Sequence, residues 1–231
     1  MVKDILVELC CGGIDDVITA ARCGADRMEL NCGMELGGLT PTISVLRRAK
    51  ELTDIPICCM VRSRTAGFAY TREEFETMKR DAALLLENGA DGLVFGFLNE
   101  DNTINKDWMK EMVKIAGDKD KVCHKAFDET PDKYRAAEDL IECGITRVLN
   151  MGGAIYPDLE EGLTLLGDLN AKYGKEIEFM PGGGVKDHNI RHILDVTGCK
   201  QIHTSARRMA QDNGEYALVD ADVLRKMLEQ I

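Results

Sequence analysis

The stretch NGADGLVFG, residues 88–96, contains the pattern that decides the fold: a glycine, a short polar turn and then an apolar strand. Glycine directly after a helix adopts the left-handed backbone conformation at little cost. The same arrangement recurs around Gly24, Gly144 and Gly198, and with Gly89 the intervals are 65, 55 and 54 residues. Two strand-helix units fit in each interval, so four such quarters predict a (β/α)₈ TIM barrel. An open doubly wound sheet is the alternative.

Between and beyond these glycines, short apolar runs alternate with helical stretches along the whole chain. The predicted strands are residues 5–10, 27–31, 56–62, 92–96, 122–127, 147–151, 177–180 and 201–204. The clearest helix is predicted over residues 72–88, where Phe75, Met78 and Ala82 recur at helical spacing. Strands separated by helices indicate parallel pairing with right-handed crossovers. We expect residues 1–231 to form a single barrel domain.

Composition limits the partners that the protein can have. The 231 residues are 45% hydrophobic, enough for a sizeable core, and carry a net charge of −11. An acidic chain repels nucleic-acid phosphates and anionic lipid, so we expect neither nucleic acid nor membrane as a partner. The sequence shows no signal peptide and no apolar run of the length that a membrane span needs, which predicts a cytoplasmic protein. The nine cysteines are then expected to be reduced.

Charged residues interrupt or end three of the predicted strands. Glu8 lies in the first strand, Glu29 lies in the second, and Arg62 ends the third. Strand alternation allows each to point into the barrel, and active sites of such barrels form at the C-terminal ends of the strands. This set predicts either a catalytic site that binds a polar substrate and transfers protons, or a structural ion network that fills the barrel.

A histidine lies near the end of the fifth predicted strand, in the sequence VCHKAFD at residues 122–128. Histidine titrates near neutral pH, and Asp128 is expected to lie close to His124. The pair is therefore a candidate for acid-base catalysis. The alternative is that His124 is a structural side chain.

Residues after the last strands predict an anion site. The sequence PGGGV at residues 181–185 follows the seventh strand and is expected to open a helix, where backbone N–H groups can bind phosphate or carboxylate. Loops after the seventh and eighth strands form the usual phosphate site of such barrels. The candidate anion-binding residues are Gly182, Gly183, Gly184, His203, Ser205 and Asn150. A glycine turn without a ligand, with Asn150 capping another turn, is the alternative.

The sequence resembles the CutC copper-homeostasis family from residue 7 to residue 207. The matching segments occur in the order of the family: VELC (7–10), GADRMEL (24–30), GGLTP (37–41), MVRSR (60–64), FAY (68–70), GADGLVFG (89–96), HKAFD (124–128), MPGGGV (180–185) and HTSAR (203–207). So many collinear motifs make the resemblance specific. It implies a (β/α)₈ barrel, a cytoplasmic location, self-association as a homodimer or higher homo-oligomer, and an assigned role in copper homeostasis.

The resemblance also bears on copper binding. Human-type members have a cysteine at the end of the second strand, whereas this chain has Asn31 there and Cys32 one place later. A shift of one residue turns a strand side chain to the opposite face, so Cys32 would meet Cys10 only where the chain has left strand geometry. Cys10 and Cys32 are the candidate ligands of Cu(I), which prefers thiolates and is the one candidate cofactor. We expect the binding to be weak.

Two functions from different classes are therefore predicted. The family resemblance favours copper binding or handling. The residues at the predicted mouth favour a lyase, isomerase or aldolase-like enzyme that acts on a small phosphorylated or carboxylated metabolite. In that enzyme Glu8, Glu29 and His124 would transfer protons, and Arg62 would orient the anionic substrate.

Overall fold

In a computed structural model that describes residues 5–231, eight parallel strands form a barrel with helices outside it. The barrel strands are β1 (Leu6–Cys11), β2 (Arg27–Leu30), β3 (Ile57–Met60), β4 (Gly92–Phe95), β5 (Asp120–Cys123), β6 (Arg147–Asn150), β7 (Glu178–Pro181) and β8 (Gln201–Thr204). The helices are α1 (Ile14–Cys23), α2 (Ile43–Leu52), α3 (Arg72–Glu87), α4 (Lys106–Ala116), α5 (Ala126–Glu129), α6 (Lys133–Cys143), α7 (Glu160–Tyr173), α8 (Ile190–Thr197) and α9 (Ala221–Leu228). The predicted fold class is confirmed.

The strand order follows the sequence and brings the first and last strands together. Each strand from β1 to β6 pairs in parallel with the next, and β8 pairs with β1. In this register Cys10 lies opposite Glu29, and Glu8 lies opposite His203. β7 lies beside β8, but no strand pairing joins the two within residues 5–231. The ring of hydrogen-bonded strands is therefore interrupted at one seam.

Local signals in the sequence fix the ends of the helices. Gly24, Gly144 and Gly198 follow α1, α6 and α8 in the left-handed conformation, and Gly89 follows α3 with a φ of 96°. The predicted glycine ends are therefore confirmed. α3 begins with a reciprocal capping box between Thr71 and Glu74 and buries its apolar face. None of the helices within residues 5–231 is both long and apolar enough to cross a membrane.

The main hydrophobic core lies outside the strands, between the barrel and its helices. Inside the barrel, Cys58, Met60, Val94 and Val122 form a separate small apolar cluster. Two ion pairs lie near the N-terminal end of the interior. Arg27 binds Glu8 and also donates to Gln201 at 2.7 Å, and Arg147 donates to Asp120 at 2.7 Å. We call Arg27–Glu8 and Arg147–Asp120 the floor ion pairs.

Three local predictions were wrong. β5 ends at Cys123 rather than at residue 127, because the chain turns after His124 into the short helix α5. The glycines at residues 182–184 do not open a helix, since α8 begins only at Ile190. A hairpin of β9 (Arg207–Gln211) and β10 (Glu215–Val219) separates β8 from α9, where the sequence predicted a helix directly after the strand.

Candidate functional site

A cavity of about 310 Å³ opens at the C-terminal ends of the barrel strands. Its wall combines carboxyl, amide, thiol, imidazole and guanidinium groups with the backbone of three glycines. The polar lining includes Cys10, Glu29, Asn31, Arg62, His124, Lys125, Gly182, Gly183, Gly184, His203 and Ser205. Four residues of the predicted sites lie outside this lining, namely Glu8, Asp128, Asn150 and Cys32.

Glu29 is the carboxyl group of the cavity wall. It is 2% exposed, its Oε1 accepts a hydrogen bond from Nδ2 of Asn31 at 2.8 Å, and the thiol of Cys10 lies 3.8 Å from the same oxygen. Its Oε2 has no hydrogen-bond partner in the described part of the chain. Burial raises the pKa of Glu29, and the Glu8 charge raises it further against the opposing effect of His203. Glu29 can therefore hold or release a proton at its free oxygen.

Glu8 lies deeper in the barrel and its oxygens are already engaged. One accepts from Nε of Arg27, and the other lies 2.8 Å from Nδ1 of His203. Burial opposes ionisation of Glu8, but these contacts outweigh it and lower its pKa to about 2. Burial likewise opposes protonation of His203, yet Glu29, Cys10 and Glu8 raise the pKa of His203 well above its ordinary value. Glu8 therefore belongs to the ion network, and it holds a cationic His203 at the cavity.

His124 presents a neutral N–H group to the cavity. Its Nδ1 accepts a hydrogen bond from the backbone N–H of Ala126 at 3.1 Å, so the proton of the neutral ring is on Nε2. Nε2 is buried and has no partner within residues 5–231. Burial lowers the pKa of His124 to about 3, and the nearby Arg62 charge acts in the same direction. His124 is thus a hydrogen-bond donor rather than a cation at neutral pH.

The guanidinium of Arg62 is mainly used to hold loops. Nη1 donates to the carbonyls of Gly37 and Gly38 at 3.0 and 3.1 Å, and Nη2 donates to the carbonyl of Ala66 at 2.8 Å. The guanidinium also lies over the Phe68 ring. Nε alone has no partner in the described chain. Of its donors, Arg62 can therefore offer the N–H at Nε to an anion, as the prediction requires.

The glycine loop adds backbone donors to the cavity. Gly183 and Gly184 have φ values of 107° and 103°, a region that side chains rarely adopt. Their N–H groups and that of Ser205 make no hydrogen bond within residues 5–231. The loop lies at the seam between β7 and β8, and a Cβ built on Gly183 would lie 2.6 Å from Nζ of Lys125. Free N–H groups beside an ammonium form a concave surface suited to an anion.

Asp128 and Asn150 have positions that differ from the prediction. Asp128 accepts hydrogen bonds from the backbone N–H groups of Met151 and Gly153, with a shortest distance of 2.8 Å, and so it fixes the loop after β6. Asn150 is fully buried and accepts from the N–H of Gly152 at 3.0 Å. Both side chains therefore hold the turn after β6 and lie outside the cavity lining, and their catalytic and anion-binding roles stay predictions.

Cys10 and Cys32 do not form a joint site. Cys10 lines the cavity, whereas Cys32 pairs with Leu39 in a β-bridge and its thiol donates to the carbonyl of Thr40 at 3.0 Å. Asn31 takes the inward position, with Nδ2 at 3.5 Å from the sulfur of Cys10. These positions do not favour a two-cysteine copper site, which stays a prediction. The donor atoms of Cys10, Glu29 and His203 instead lie within 4.8 Å of one another.

Sequence reasoning missed two residues of the site. Lys125 was not predicted because the fifth strand was extended too far, whereas α5 turns this side chain into the mouth. Asn31 was treated only as the residue that displaces a cysteine, although its amide fixes Oε1 of Glu29. The inward parity of Asn31 with Glu29 was the available signal for the second residue.

Comparisons with known sequences all lead to the same family. A sequence model of the CutC family matches residues 5–208. A family protein CutC of Treponema denticola is 42% identical over 210 residues, which are 91% of this chain and 85% of that protein. The copper homeostasis protein cutC homolog of Homo sapiens is 39% identical over 209 residues, which are 90% of this chain and 76% of that protein.

Comparison with solved structures agrees on the fold. A CutC from Streptococcus agalactiae superposes with a TM-score of 0.82 at 29% identity, covering 86% of this chain and 97% of that one. A phosphoribosylanthranilate isomerase from Thermotoga maritima gives a TM-score of 0.60 at 12% identity, covering 98% of this chain and 97% of that one. At that identity the second likeness concerns the barrel fold alone.

Proposed function

Because this chain belongs to the CutC family, we propose that it acts in copper homeostasis, the role in the names of its relatives. We propose further that it does so by binding and transforming a small anionic metabolite at the barrel mouth. In this proposal copper homeostasis depends on the chemistry of the cavity rather than on a tightly chelated copper ion.

One observation carries the proposal: several buried polar atoms around a single cavity have no hydrogen-bond partner among residues 5–231. They are Oε2 of Glu29, Nε2 of His124, Oδ1 of Asn31 and Nε of Arg62. A buried polar atom without a hydrogen bond costs about 1 to 3 kcal/mol, so such atoms are rare in native proteins. Several around one cavity indicate that a polar ligand completes their hydrogen bonds.

The charges and donors support an anionic ligand with a carbonyl or hydroxyl group. Gly183, Gly184 and Ser205 offer N–H groups, and Lys125 and His203 add positive charge. Phosphate and carboxylate are the groups that such donors bind. A ligand held there in a cavity of about 310 Å³ is small, and its other end meets Glu29 and His124.

These two residues support proton transfer next to a carbonyl group. Glu29 has a raised pKa and a free oxygen, which suits a group that accepts and returns a proton. His124 donates from Nε2 to the oxygen on which negative charge develops, and a fixed donor in a buried site stabilises such a charge strongly. Isomerases, lyases and aldolases share this type of step.

The same cavity offers Cu(I) one thiol rather than two. Cu(I) prefers two or more soft ligands. Cys10 is the one thiol that lines the cavity among residues 5–231. The thioethers of Met34 and Met60 also line the cavity, but Cys32 does not. We therefore assign no step to bound copper.

The proposal is tested by screening a metabolite library for binding to the purified protein, with a Cu(I) titration in parallel. The expected ligands are phosphorylated or carboxylated, and His124→Gln should weaken their binding about tenfold, since it removes one hydrogen bond to an oxygen or oxyanion. His192→Gln, at an exposed histidine that pairs with Glu160, is the matched control.

Two results would contradict the proposal. One is ligand affinity that His124→Gln leaves unchanged. The other is a tight, stoichiometric Cu(I) site, measured against a strong chelator, that disappears in Cys10→Ser. The cytoplasmic location and self-association stay predictions.

A further inference from the structure

We propose that Cys10, Glu29 and His203 form a binding site for one borderline divalent cation, of which Zn²⁺ is the reference ion. The three side chains come from β1, β2 and β8, which are neighbours in the barrel. Their donor atoms, one sulfur, one oxygen and one nitrogen, lie within 4.8 Å of one another, and all three residues are buried. The site differs in both ligands and metal from a two-thiol Cu(I) site.

The register of the strands explains why these three side chains meet. Cys10 is directly opposite Glu29 in the β1–β2 pair, and both point into the barrel. His203 is opposite Glu8 in the β1–β8 pair, one inward position below Cys10, and its ring is long enough to reach the level of the thiol. The arrangement is therefore built into the barrel strands rather than into mobile loops, as precise metal sites usually are.

The donor set selects the kind of ion. Zn²⁺ binds Cys sulfur at about 2.3 Å, His nitrogen at about 2.0 Å and carboxylate oxygen at about 2.1 Å, and three protein ligands leave a fourth position open. Tetrahedral bonds of these lengths place donor atoms about 3.3 to 3.7 Å apart, so the side chains need only draw together slightly. Among these three donors Cu(I) finds one soft ligand, and Mg²⁺ or Ca²⁺ would need oxygen ligands throughout.

The surroundings of the ligands provide a second and independent observation. Oε2 of Glu29 is buried without a partner among residues 5–231, while Asn31 holds the other oxygen at 2.8 Å. Nδ1 of His203 lies 2.8 Å from Glu8, so a bound ion would replace the proton on Nε2. A carboxylate that holds the far nitrogen of a histidine ligand is the usual outer contact of zinc sites, and Arg27 fixes that carboxylate.

Occupancy by an ion has a consequence for the proposed chemistry. Glu29 cannot be a metal ligand and a free proton carrier at once, so bound Zn²⁺ should suppress proton transfer at this group. The anion donors Gly183, Gly184 and Ser205 are not ligands in this set, and the positive charge of the ion takes the place of the His203 charge, so a metabolite can still bind. Metal binding and metabolite binding are therefore separate measurements, and failure of one leaves the other standing.

The test is a titration of metal-free protein with Zn²⁺ in competition with a chromophoric chelator, repeated with Co²⁺. The expected result is one equivalent of Zn²⁺, and near-ultraviolet thiolate-to-Co²⁺ absorption that Cys10→Ser abolishes. Cys10→Ser and His203→Gln should each weaken Zn²⁺ binding at least 100-fold, and Glu8→Gln should weaken it about 10-fold through loss of the outer contact. Circular dichroism spectra of the variants establish that they are folded.

The control variant is Cys32→Ser, because Cys32 is a nearby cysteine outside the cavity lining. It should leave both the Zn²⁺ affinity and the Co²⁺ spectrum unchanged. Less than half an equivalent of bound Zn²⁺, or equal affinity in wild type and Cys10→Ser, would overturn the proposal. Cu(I) binding that requires both Cys10 and Cys32 would also overturn it, since it would mean that the two thiols meet in solution.

Discussion

The floor of the barrel and its mouth both bury charged residues, but they treat those charges differently. At the floor, Arg27 faces Glu8 and Arg147 faces Asp120, so each charge meets an opposite one. At the mouth, Glu29 and His124 each have an atom without a partner among residues 5–231. A single buried atom without a partner does not mark a site either, because Nε of Arg147 at the floor also lacks one among residues 5–231. The mouth differs because four such atoms surround one cavity.

The largest expected effect comes from breaking a floor ion pair. Arg27→Met leaves the Glu8 charge without its guanidinium, and removal of one partner of a buried pair costs about 3 to 5 kcal/mol. The free energy of unfolding from urea denaturation should fall by that amount. Arg48→Met, which breaks an exposed pair with Glu51, should change it by less than about 0.5 kcal/mol. Similar losses for the two variants would remove the distinction between floor and surface pairs.

The second prediction compares Glu8 with Glu29 by the pH dependence of stability. The pKa of Glu8 falls from its ordinary 4.5 to about 2 on folding, so its contribution of about 3 kcal/mol is present above pH 4.5 and is lost as the pH falls towards 2. The pKa of Glu29 is raised, so its carboxyl favours the folded state below pH 4.5 and loses that effect as the pH rises through the raised value.

Urea denaturation of wild type, Glu8→Gln and Glu29→Gln between pH 3 and pH 8 measures both effects. The stability difference between wild type and Glu8→Gln should shrink as the pH is lowered. Relative to Glu29→Gln, the wild type should instead become less stable as the pH is raised. If the two differences in the free energy of unfolding, wild type minus each variant, changed with pH in the same direction, the floor and the mouth would hold their carboxyl groups in the same way.

The smallest expected effect concerns the anion donors. Gly183→Ala combined with Ser205→Ala should weaken phosphate or sulfate binding about tenfold, because a Cβ at residue 183 would meet Nζ of Lys125 and disturb the loop. Gly214→Ala, where an added Cβ meets no atom within 4 Å, is the matched control. The affinities are measured by calorimetry. Equal affinities of the wild type, the double variant and Gly214→Ala would show that the glycine loop does not bind the anion.

The fold could be predicted from the sequence because its signals are local. Each glycine after a helix and each apolar run depends on residues close in the chain, as at Gly89 and residues 92–96. Parity along a strand also gave the right direction for Glu29 and the outward position of Cys32. These are consequences of backbone geometry, and they do not depend on distant partners.

The partners of the polar residues could not be predicted in this way. Glu8 and Glu29 have the same inward parity, but their roles differ because Arg27 reaches one and not the other. Arg62 follows its strand as predicted, yet carbonyls from two loops occupy most of its donors. Asp128 is close to His124 in sequence, but it binds the backbone after β6. These outcomes depend on side-chain contacts between strands and on loops whose paths the sequence does not specify.

The seam between β7 and β8 gives the barrel a mechanical property that a fully closed ring lacks. A closed ring of paired strands resists a change of diameter, since widening it anywhere breaks hydrogen bonds. Here a separation of β7 and β8 would break no strand pairing, because none joins them within residues 5–231. Gly183 and Ser205 lie on the two sides of this gap. We therefore expect the width of the proposed anion site to adjust to the size of its ligand while the other seven pairings keep their register.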